Sequence, residues 1–302
     1  MNYREQERRR AIDMRESLFK GLGNGVFSGK EREFVLNDTV LNLWKGIRVD
    51  AQQYFKRNKI SWWKGNKDSP PTGHLLSSQI ACVNHLYYLR QRKDLATAIL
   101  TAIDNEITEA IIVDDGYVEF EFIGAKQYLK EKSWQRGANC TSIDAVMIGK
   151  NRAGGKKFFL IEWKYTEFYR PVDLYISERA KVYDNLIKDD DSPFKKVPVE
   201  AFYYEPFYQL MRQTLLAWLF VINKDHGCYD YCNIHVIPKE NKELLDNITS
   251  KYLEGNNITE TWKSTLKNPD KYLCITPRYL LSPCSKIVDS QSFLLYLEKR
   301  YW

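Results

Sequence analysis

The run Phe-Phe-Leu-Ile at residues 158–161 is the feature that most constrains the fold. Successive side chains of a β-strand point to opposite faces, so four consecutive apolar residues give a strand that is apolar on both faces. Such a strand is typical of the centre of a sheet that is covered on both sides. Glu162 and Lys164 follow the run and would share one face, with Trp163 on the other. The sequence therefore predicts a buried central strand that carries charged groups at its end.

A second strand is predicted just before this one. Residues 142–149 and 157–165 both have strand character and are joined by a short loop, which indicates a hairpin. Folding the hairpin symmetrically about Ala153 places Asp144 opposite Glu162. The same register pairs Val146 with Leu160 and Ile148 with Phe158.

The two opposed carboxylates indicate a cation site. Directly opposed residues of an antiparallel pair have Cβ atoms about 5 Å apart, and like charges at that distance are destabilising. Mg²⁺ prefers oxygen ligands and usually takes one or two carboxylates together with waters and substrate phosphate. Asp144 and Glu162 would bind this ion, and Lys164 would orient or deprotonate a water that attacks a phosphodiester. The alternative is a surface hairpin on which Asp144 pairs with Lys164, which the apolar run disfavours.

The rest of the chain predicts helices around the hairpin. Apolar periodicity indicates helices over residues 3–19, 37–55, 75–87, 95–102 and 206–222, and strands over 117–122 and 233–237. The strand at 117–122 alternates between apolar and polar residues, which predicts one buried and one polar face. The loop at residues 64–73, with two prolines, is the candidate boundary. We predict a helical subdomain at residues 1–70 packed on a core at residues 71–302.

Composition excludes several classes of protein. Hydrophobic residues make up 44% and charged residues 28% of the 302-residue chain, as in ordinary globular proteins. The longest apolar run, near residues 215–222, is far shorter than the ~20 residues of a membrane span, and the N-terminus is charged, so we expect a cytoplasmic protein without a membrane partner. The His and Cys residues at 226–235 are poorly spaced for zinc. Residues 149–157 lack the Gly-Lys-Ser/Thr of a phosphate loop, which disfavours a nucleotide cofactor.

Positive charge is concentrated near the N-terminus. Residues 1–60 hold 13 Lys and Arg against 8 Asp and Glu, whereas the net charge of the whole chain is +6. Arginines along a helix can contact the phosphates of a nucleic acid, which supply most sequence-independent affinity. The alternative is a solvated helix face balanced by its own acidic residues. The candidate phosphate contacts are Arg8, Arg9, Arg10 and Arg15.

Two segments carry a resemblance to a known family. Ser142-Ile143-Asp144-Ala145, followed after the hairpin loop by Leu160-Ile161-Glu162-Trp163-Lys164, resembles the D…(D/E)-x-K signature of the PD-(D/E)XK nuclease superfamily. Ile143 stands where the superfamily name has Pro, at a variable position. The chain also resembles the branch called PGN_0703-like restriction endonucleases over roughly residues 25–240, most clearly at residues 71–79, 136–139, 161–167 and 205–213.

The resemblance implies an α/β fold with a restriction-endonuclease-like core. This core is a central mixed β-sheet flanked by helices, here with an N-terminal helical extension. It implies a Mg²⁺-dependent nuclease that acts on DNA as an endonuclease, with Mn²⁺ as an acceptable substitute. Asp144 and Glu162 would be metal ligands together with the backbone carbonyl of Trp163, and Lys164 would be the catalytic base or a cation that positions water.

Further residues are candidates for the same site. Many relatives add a carboxylate or glutamine from a preceding helix to the metal site. Gln79, with Ser78 near it, is our first choice for this position. Glu119 and Glu121 are the competing candidates. The helix at 206–222 has a polar face formed by Gln209, Arg212 and Gln213. This face either contacts a phosphate or is a solvated helix surface. A homodimer and an RNA substrate stay open. The rival function is a nucleic-acid-binding protein that keeps the fold without cutting.

Overall fold

The computed structural model describes residues 1–20, 23–66, 68–136 and 140–302 of the protein. The α-helices of this part are α1 (Tyr3–Phe19), α2 (Arg48–Arg57), α3 (Ser78–Leu86), α4 (Lys93–Ile103), α5 (Ser177–Lys188), α6 (Phe207–Ile222), α7 (Lys242–Leu245), α8 (Ile258–Thr265), α9 (Pro277–Leu281) and α10 (Gln291–Tyr301). The strands are β1 (Asn24–Phe27), β2 (Lys30–Leu36), β3 (Ile107–Ile111), β4 (Glu119–Phe122), β5 (Ile143–Asn151), β6 (Lys156–Trp163), β7 (Cys228–Val236) and β8 (Tyr272–Ile275). Residues 137–139, part of the segment 136–139 that carries the family resemblance, lie outside the described residues.

The central sheet is mixed, as predicted. Its strands lie in the order β3-β5-β6-β7-β8, and β4 also pairs with β5. The strands β3, β4 and β6 run antiparallel to β5, whereas β6, β7 and β8 are parallel to one another. A separate hairpin is formed by β1 and β2. The fold is therefore an α/β fold with a mixed sheet and flanking helices.

The central strand β6 is buried on both faces. Phe159 and Ile161 belong to one apolar cluster, which includes residues of α3 and α4. Phe158 and Leu160 belong to a second cluster, which includes residues of α6. The alternation of a strand puts these two pairs on opposite sides of the sheet. The interpretation of residues 158–161 as a doubly covered strand is confirmed.

The hairpin register is also confirmed. In the ladder between β5 and β6, Val146 pairs with Leu160 and Ile148 pairs with Phe158. The last pair of the ladder toward the open end of the hairpin is Ala145 with Ile161. Continuing the same register by one step brings Asp144 next to Glu162.

The helix predicted at 37–55 is divided in the structure. Residues Thr39–Asn42 form a short 3-10 turn, and α2 begins only at Arg48. The buried Asn42 amide donates to the carbonyl oxygens of Thr72 and His74, at 2.8 and 3.1 Å. These tertiary hydrogen bonds hold the segment in a conformation that a continuous helix could not adopt, so apolar spacing alone gave the wrong length.

The strand predicted at 117–122 does not have one apolar face. Phe120 belongs to the first apolar cluster and Phe122 to the second, so the two rings lie on opposite sides of the sheet. Glu121 between them has a φ of 50°, in the left-handed region that side chains other than glycine rarely adopt. This conformation interrupts the alternation and turns a buried Glu121 side chain inward.

The C-terminal helix joins segments from both sides of residue 70. The buried guanidinium of Arg300 donates to Asn42 Oδ1 at 3.1 Å and to the Leu75 carbonyl at 2.7 Å. The division into a subdomain at 1–70 and a core at 71–302 stays a prediction. No helix in the described part of the chain is long and apolar enough to cross a membrane.

Candidate active site

A buried ion pair lies where β6 ends. The Lys164 ammonium donates to Glu162 Oε1 at 2.7 Å, and each side chain is only 7% exposed. Burial alone lowers the pKa of Lys164, but the charge of Glu162 and other nearby acidic groups outweighs it and raises this pKa well above its ordinary value. Lys164 is therefore held as a cation against the carboxylate.

Two glutamines of α6 complete the contacts of Glu162. Gln209 Nε2 donates to Glu162 Oε1 at 2.7 Å, and Gln209 Oε1 accepts a hydrogen bond from Lys164. One helical turn later, Gln213 Nε2 donates to Glu162 Oε2. The polar face predicted on this helix is therefore packed against the charged end of β6. Both glutamines orient the carboxylate and satisfy its oxygens.

Arg212, the third residue of that polar face, is directed elsewhere. Its guanidinium donates to Thr141 Oγ1 at 3.2 Å and lies 4.5 Å from the centre of the Tyr208 ring. Arg212 thus supports the chain just before β5. Its role toward a phosphate stays a prediction.

Asp144 is tied to the same strand end from across the hairpin. Its Oδ2 accepts a hydrogen bond from the backbone N–H of Trp163 at 2.7 Å. Burial raises the pKa of Asp144 well above its ordinary value, and the negative charges of Glu162 and Glu121 raise it further. Three carboxyl groups therefore act on one another at this edge of the sheet.

Glu121 is the third of these carboxyl groups. Its carboxylate accepts hydrogen bonds from Gln79 Nε2 at 2.9 Å and from Ser142 Oγ at 2.8 Å. Burial raises the pKa of Glu121, although these hydrogen bonds oppose the effect. The neighbouring candidate Glu119 is not part of the group, because its carboxylate pairs with Arg136 at 3.2 Å. Burial raises the pKa of Glu119 to about 7.

Gln79 contacts the acidic group through Glu121. Its Nε2 also donates to the Ser61 carbonyl at 3.2 Å, and its Oε1 accepts from the Trp63 N–H at 2.8 Å. Ser78 begins α3 beside it and is half-buried. The predicted helix residue is therefore near the site, but Glu121 stands between Gln79 and the hairpin carboxylates.

The acidic group offers oxygen ligands of the type that Mg²⁺ prefers. Glu121, Asp144 and Glu162 provide three carboxyl groups, and Lys164 is the cation hydrogen-bonded to one of them. Within residues 1–20, 23–66, 68–136 and 140–302, no group of three or more His, Cys, Asp or Glu side chains is arranged to hold a metal ion. Mg²⁺ needs only one or two carboxylates with waters. Asp144, Glu162 and the Trp163 carbonyl fit this requirement by donor type.

The four N-terminal arginines do not form one surface. Arg10 pairs with Glu7 at 2.7 Å, and Arg15, 8% exposed, donates to Asn24 Oδ1 at 2.6 Å and to the Glu33 carbonyl. Arg8 lies 5.0 Å from the centre of the Phe34 ring, whereas Arg9 is exposed. Two of the four side chains are thus engaged inside the protein. Their contact with phosphates stays a prediction.

Two residues near the site were not singled out by the sequence. Ser142 holds Glu121, and its position two residues before Asp144 in the signature segment was the signal that could have found it. The Tyr169 ring centre lies 6.0 Å from the Lys164 ammonium. Burial raises the pKa of Tyr169 to about 12. No spacing or motif pointed to this tyrosine, because it comes from the loop that follows β6.

The sheet order and this acidic strand end define a restriction-endonuclease-like protein. The chain belongs to the family described as restriction endonuclease associating with ARP, whose sequence model matches residues 15–302. No curated protein and no solved structure matches the chain. The resemblance to restriction endonucleases is thereby confirmed at the level of the family.

Proposed function

We propose that this protein is a metal-dependent nuclease of the PD-(D/E)XK class, in its PGN_0703-like branch, and that it hydrolyses phosphodiester bonds in DNA. The observation that carries the proposal is the buried Glu162–Lys164 pair at the end of a central strand, with Asp144 bonded to the residue between them. Charged residues buried together usually serve a function, because a buried ion pair adds little stability over apolar residues of similar volume.

Asp144, Glu162 and the Trp163 carbonyl would hold Mg²⁺ or Mn²⁺. When bound, such an ion stabilises charge on the phosphate and makes a water more acidic. The protein holds the ligands in place before binding: the Trp163 N–H fixes Asp144, while Gln209 and Gln213 fix Glu162. Glu121 adds negative charge beside them and favours cation binding.

Lys164 would act as a positioning cation. Its raised pKa keeps the ammonium protonated at neutral pH, which favours hydrogen-bond donation to a water or a phosphate oxygen over proton abstraction. Its present partners, Glu162 and Gln209, hold the ammonium beside the metal ligands. Of the two roles expected from the sequence, the electrostatic one is better supported.

DNA is the substrate we propose, because the family description names a restriction endonuclease. The basic N-terminal region, with its exposed Arg9, would help to hold the phosphate backbone. These contacts would be independent of sequence. They would add affinity without taking part in the reaction.

A non-cleaving nucleic-acid-binding protein is the second candidate. One observation favours it: both oxygens of Glu162 already accept hydrogen bonds from side chains of the protein. A metal ion would have to replace or share at least one of these donors. A protein that never binds the metal could keep this arrangement permanently.

A cleavage assay separates the two functions. Supercoiled plasmid, linear duplex, single-stranded DNA and RNA are incubated with the protein in Mg²⁺, in Mn²⁺ or in EDTA. If the protein is a nuclease, it should cleave DNA only when a metal ion is present, and Glu162→Gln should abolish this cleavage. Binding of DNA without cleavage in any metal would favour the second candidate.

A further inference from the structure

A large cavity lies on the other side of β6 from the acidic group. Its volume is about 680 Å³, within the usual range for small-molecule sites. Trp163 lines it, and because Trp163 alternates with Glu162 and Lys164 along the strand, the cavity is separated from them by the sheet. The C-terminal segment forms the opposite wall. Six tyrosine and tryptophan side chains line the cavity, from Tyr3, Trp163, Tyr165, Tyr279, Tyr301 and Trp302.

A neutral histidine in this wall has an unused acceptor. His85 is 1% exposed, and its Nδ1 lies 2.7 Å from the Ala81 carbonyl. A carbonyl only accepts, so Nδ1 carries the proton and Nε2 has the lone pair. Burial lowers the pKa of His85 to about 3, which keeps the ring neutral. Within the described residues, His85 Nε2 has no hydrogen-bond partner.

A tryptophan in the same wall has an unused donor. The Trp302 indole lies 5.9 Å from the His85 ring, measured between ring centres. Its Nε1 likewise has no partner in the part of the chain that the structure describes. Buried polar atoms are normally satisfied, so an unpaired acceptor and an unpaired donor in neighbouring rings call for an explanation. A ligand that offers one donor and one acceptor would supply it.

Cationic groups also line the cavity. The Arg278 guanidinium lies 5.4 Å from the centre of the Trp302 ring, and Lys239, also in the lining, pairs with Glu240 at 3.9 Å. Arg10 is held by Glu7, which also accepts from the Tyr165 hydroxyl at 2.6 Å. Glu240 is the other acidic residue of the lining. Arg10 and Lys239 are therefore each paired with a glutamate, whereas Arg278 has no ion pair within the described residues.

We infer that this cavity binds a nucleobase, presented either by a free nucleotide or by an unpaired base of a nucleic acid. Aromatic side chains stack on the flat face of a base, and His85 and Trp302, both in the lining, carry an unpaired acceptor and an unpaired donor for the atoms of its edge. Arg278 suits an attached phosphate. Such a site would bind by ring stacking, so it does not need the Gly-Lys-Ser/Thr phosphate loop that residues 149–157 lack. Binding here does not require that the protein cleaves DNA.

Calorimetric titration of the full-length protein tests the inference. The probes are the four nucleoside 5′-monophosphates, ribose 5-phosphate as a control without a base, and a short single-stranded DNA. We expect saturable binding of at least one nucleotide, at least tenfold tighter than binding of ribose 5-phosphate. Nucleotides that bind no better than ribose 5-phosphate, together with no cavity-dependent binding of the oligonucleotide, would overturn the inference.

Two serines provide a matched pair of variants. Ser282 and Ser285 are both exposed and lie in the same turn after α9, but only Ser282 lines the cavity. Ser282→Phe should weaken binding at least tenfold, whereas Ser285→Phe should leave it unchanged. If only the oligonucleotide, and none of the nucleotides, binds the two variants differently, the ligand is an unpaired base of a nucleic acid. Equal binding by the two variants would place any ligand elsewhere and contradict the inference.

His85→Phe tests the edge contact separately. The substitution keeps an aromatic ring of similar size but removes the Nε2 acceptor, so we expect about a tenfold loss, the effect of one hydrogen bond. Unchanged affinity in a folded His85→Phe protein would exclude recognition by this histidine. The serine pair still tests the cavity if this variant does not fold.

Discussion

The Lys164 ammonium and the Glu162 carboxylate form an ion pair at 2.7 Å, and both side chains are buried at the end of the central strand. Desolvation of two charges offsets much of their attraction, so the pair is a poor means of stabilising the fold. Removing either partner would leave the other charge buried without compensation. We therefore propose that the pair handles charge during a reaction.

The first prediction concerns metal linkage. A ligand that binds only the native state stabilises it by about 2.7 kcal/mol at 100 times its Kd. Mg²⁺ or Mn²⁺ should therefore raise the thermal midpoint of the wild type, and should do so far less for Asp144→Ala and Glu162→Ala. The measurement is thermal unfolding with metal and with EDTA.

Glu109→Ala is the control for this experiment. Glu109 lies on β3, away from the acidic group, where it pairs with Lys93 and Lys150. Its variant should keep the full metal-dependent shift. Equal shifts in all four proteins would show that Asp144 and Glu162 do not form the metal site.

The second prediction concerns pH. Because burial and the charges of Glu162 and Glu121 raise the pKa of Asp144, the native state retains a proton that the unfolded chain loses. The resulting stability is fully present below the ordinary pKa of 3.8 and is lost as pH rises through the raised value. In EDTA, the free energy of unfolding should fall with rising pH in this window. Asp144→Asn should reduce the fall.

Urea unfolding at a series of pH values measures this effect. The comparison is the slope of the free energy of unfolding against pH in wild type and Asp144→Asn. Glu109→Ala serves again as a control. The hydrogen bonds from Lys150 and Lys93 lower the pKa of Glu109, so removing this carboxylate should not reduce the fall. Identical slopes for wild type and Asp144→Asn would mean that Asp144 is not protonated in the native state.

The sequence was sufficient to predict the hairpin and its carboxylates. A two-residue period and a short symmetric loop define the register, so the pairing of Val146 with Leu160 was accessible without a structure. Glu121 was a candidate, but the inward direction of its side chain could not be predicted from the sequence. That direction depends on a positive φ at Glu121. Positive φ values are usually signalled by Gly, Asn or Asp, and not by Glu.

Tertiary contacts account for the other differences. Gln209 and Gln213 have the spacing of an ordinary solvated helix face, and only the packing of α6 against β6 shows that they hold Glu162. Arg15 has the appearance of a surface cation in the sequence, yet its partners are Asn24 and the Glu33 carbonyl from the following hairpin. Neither partner is specified by a local pattern.

The third prediction separates two arginines of α1. Arg9 is exposed, so Arg9→Ala should flatten the salt dependence of DNA binding by up to about one unit and leave stability unchanged. Arg15 is buried and hydrogen-bonded, so Arg15→Ala should lower the free energy of unfolding by about 1–3 kcal/mol without changing the salt slope. Binding titrations at several salt concentrations, with urea unfolding, measure both. A lower salt slope for Arg15→Ala at unchanged stability would contradict this division.

The most direct test of the central claim is single-turnover cleavage of DNA by Lys164→Ala. If Lys164 orients water or stabilises charge in the reaction, the rate should fall on the order of 10² or more. DNA affinity, measured on the same preparation, should barely change, because it depends on many phosphate contacts. The thermal midpoint shows whether the variant is folded. We predict slow cleavage with normal DNA binding; a folded Lys164→Ala protein that cuts as fast as the wild type would contradict the proposed site.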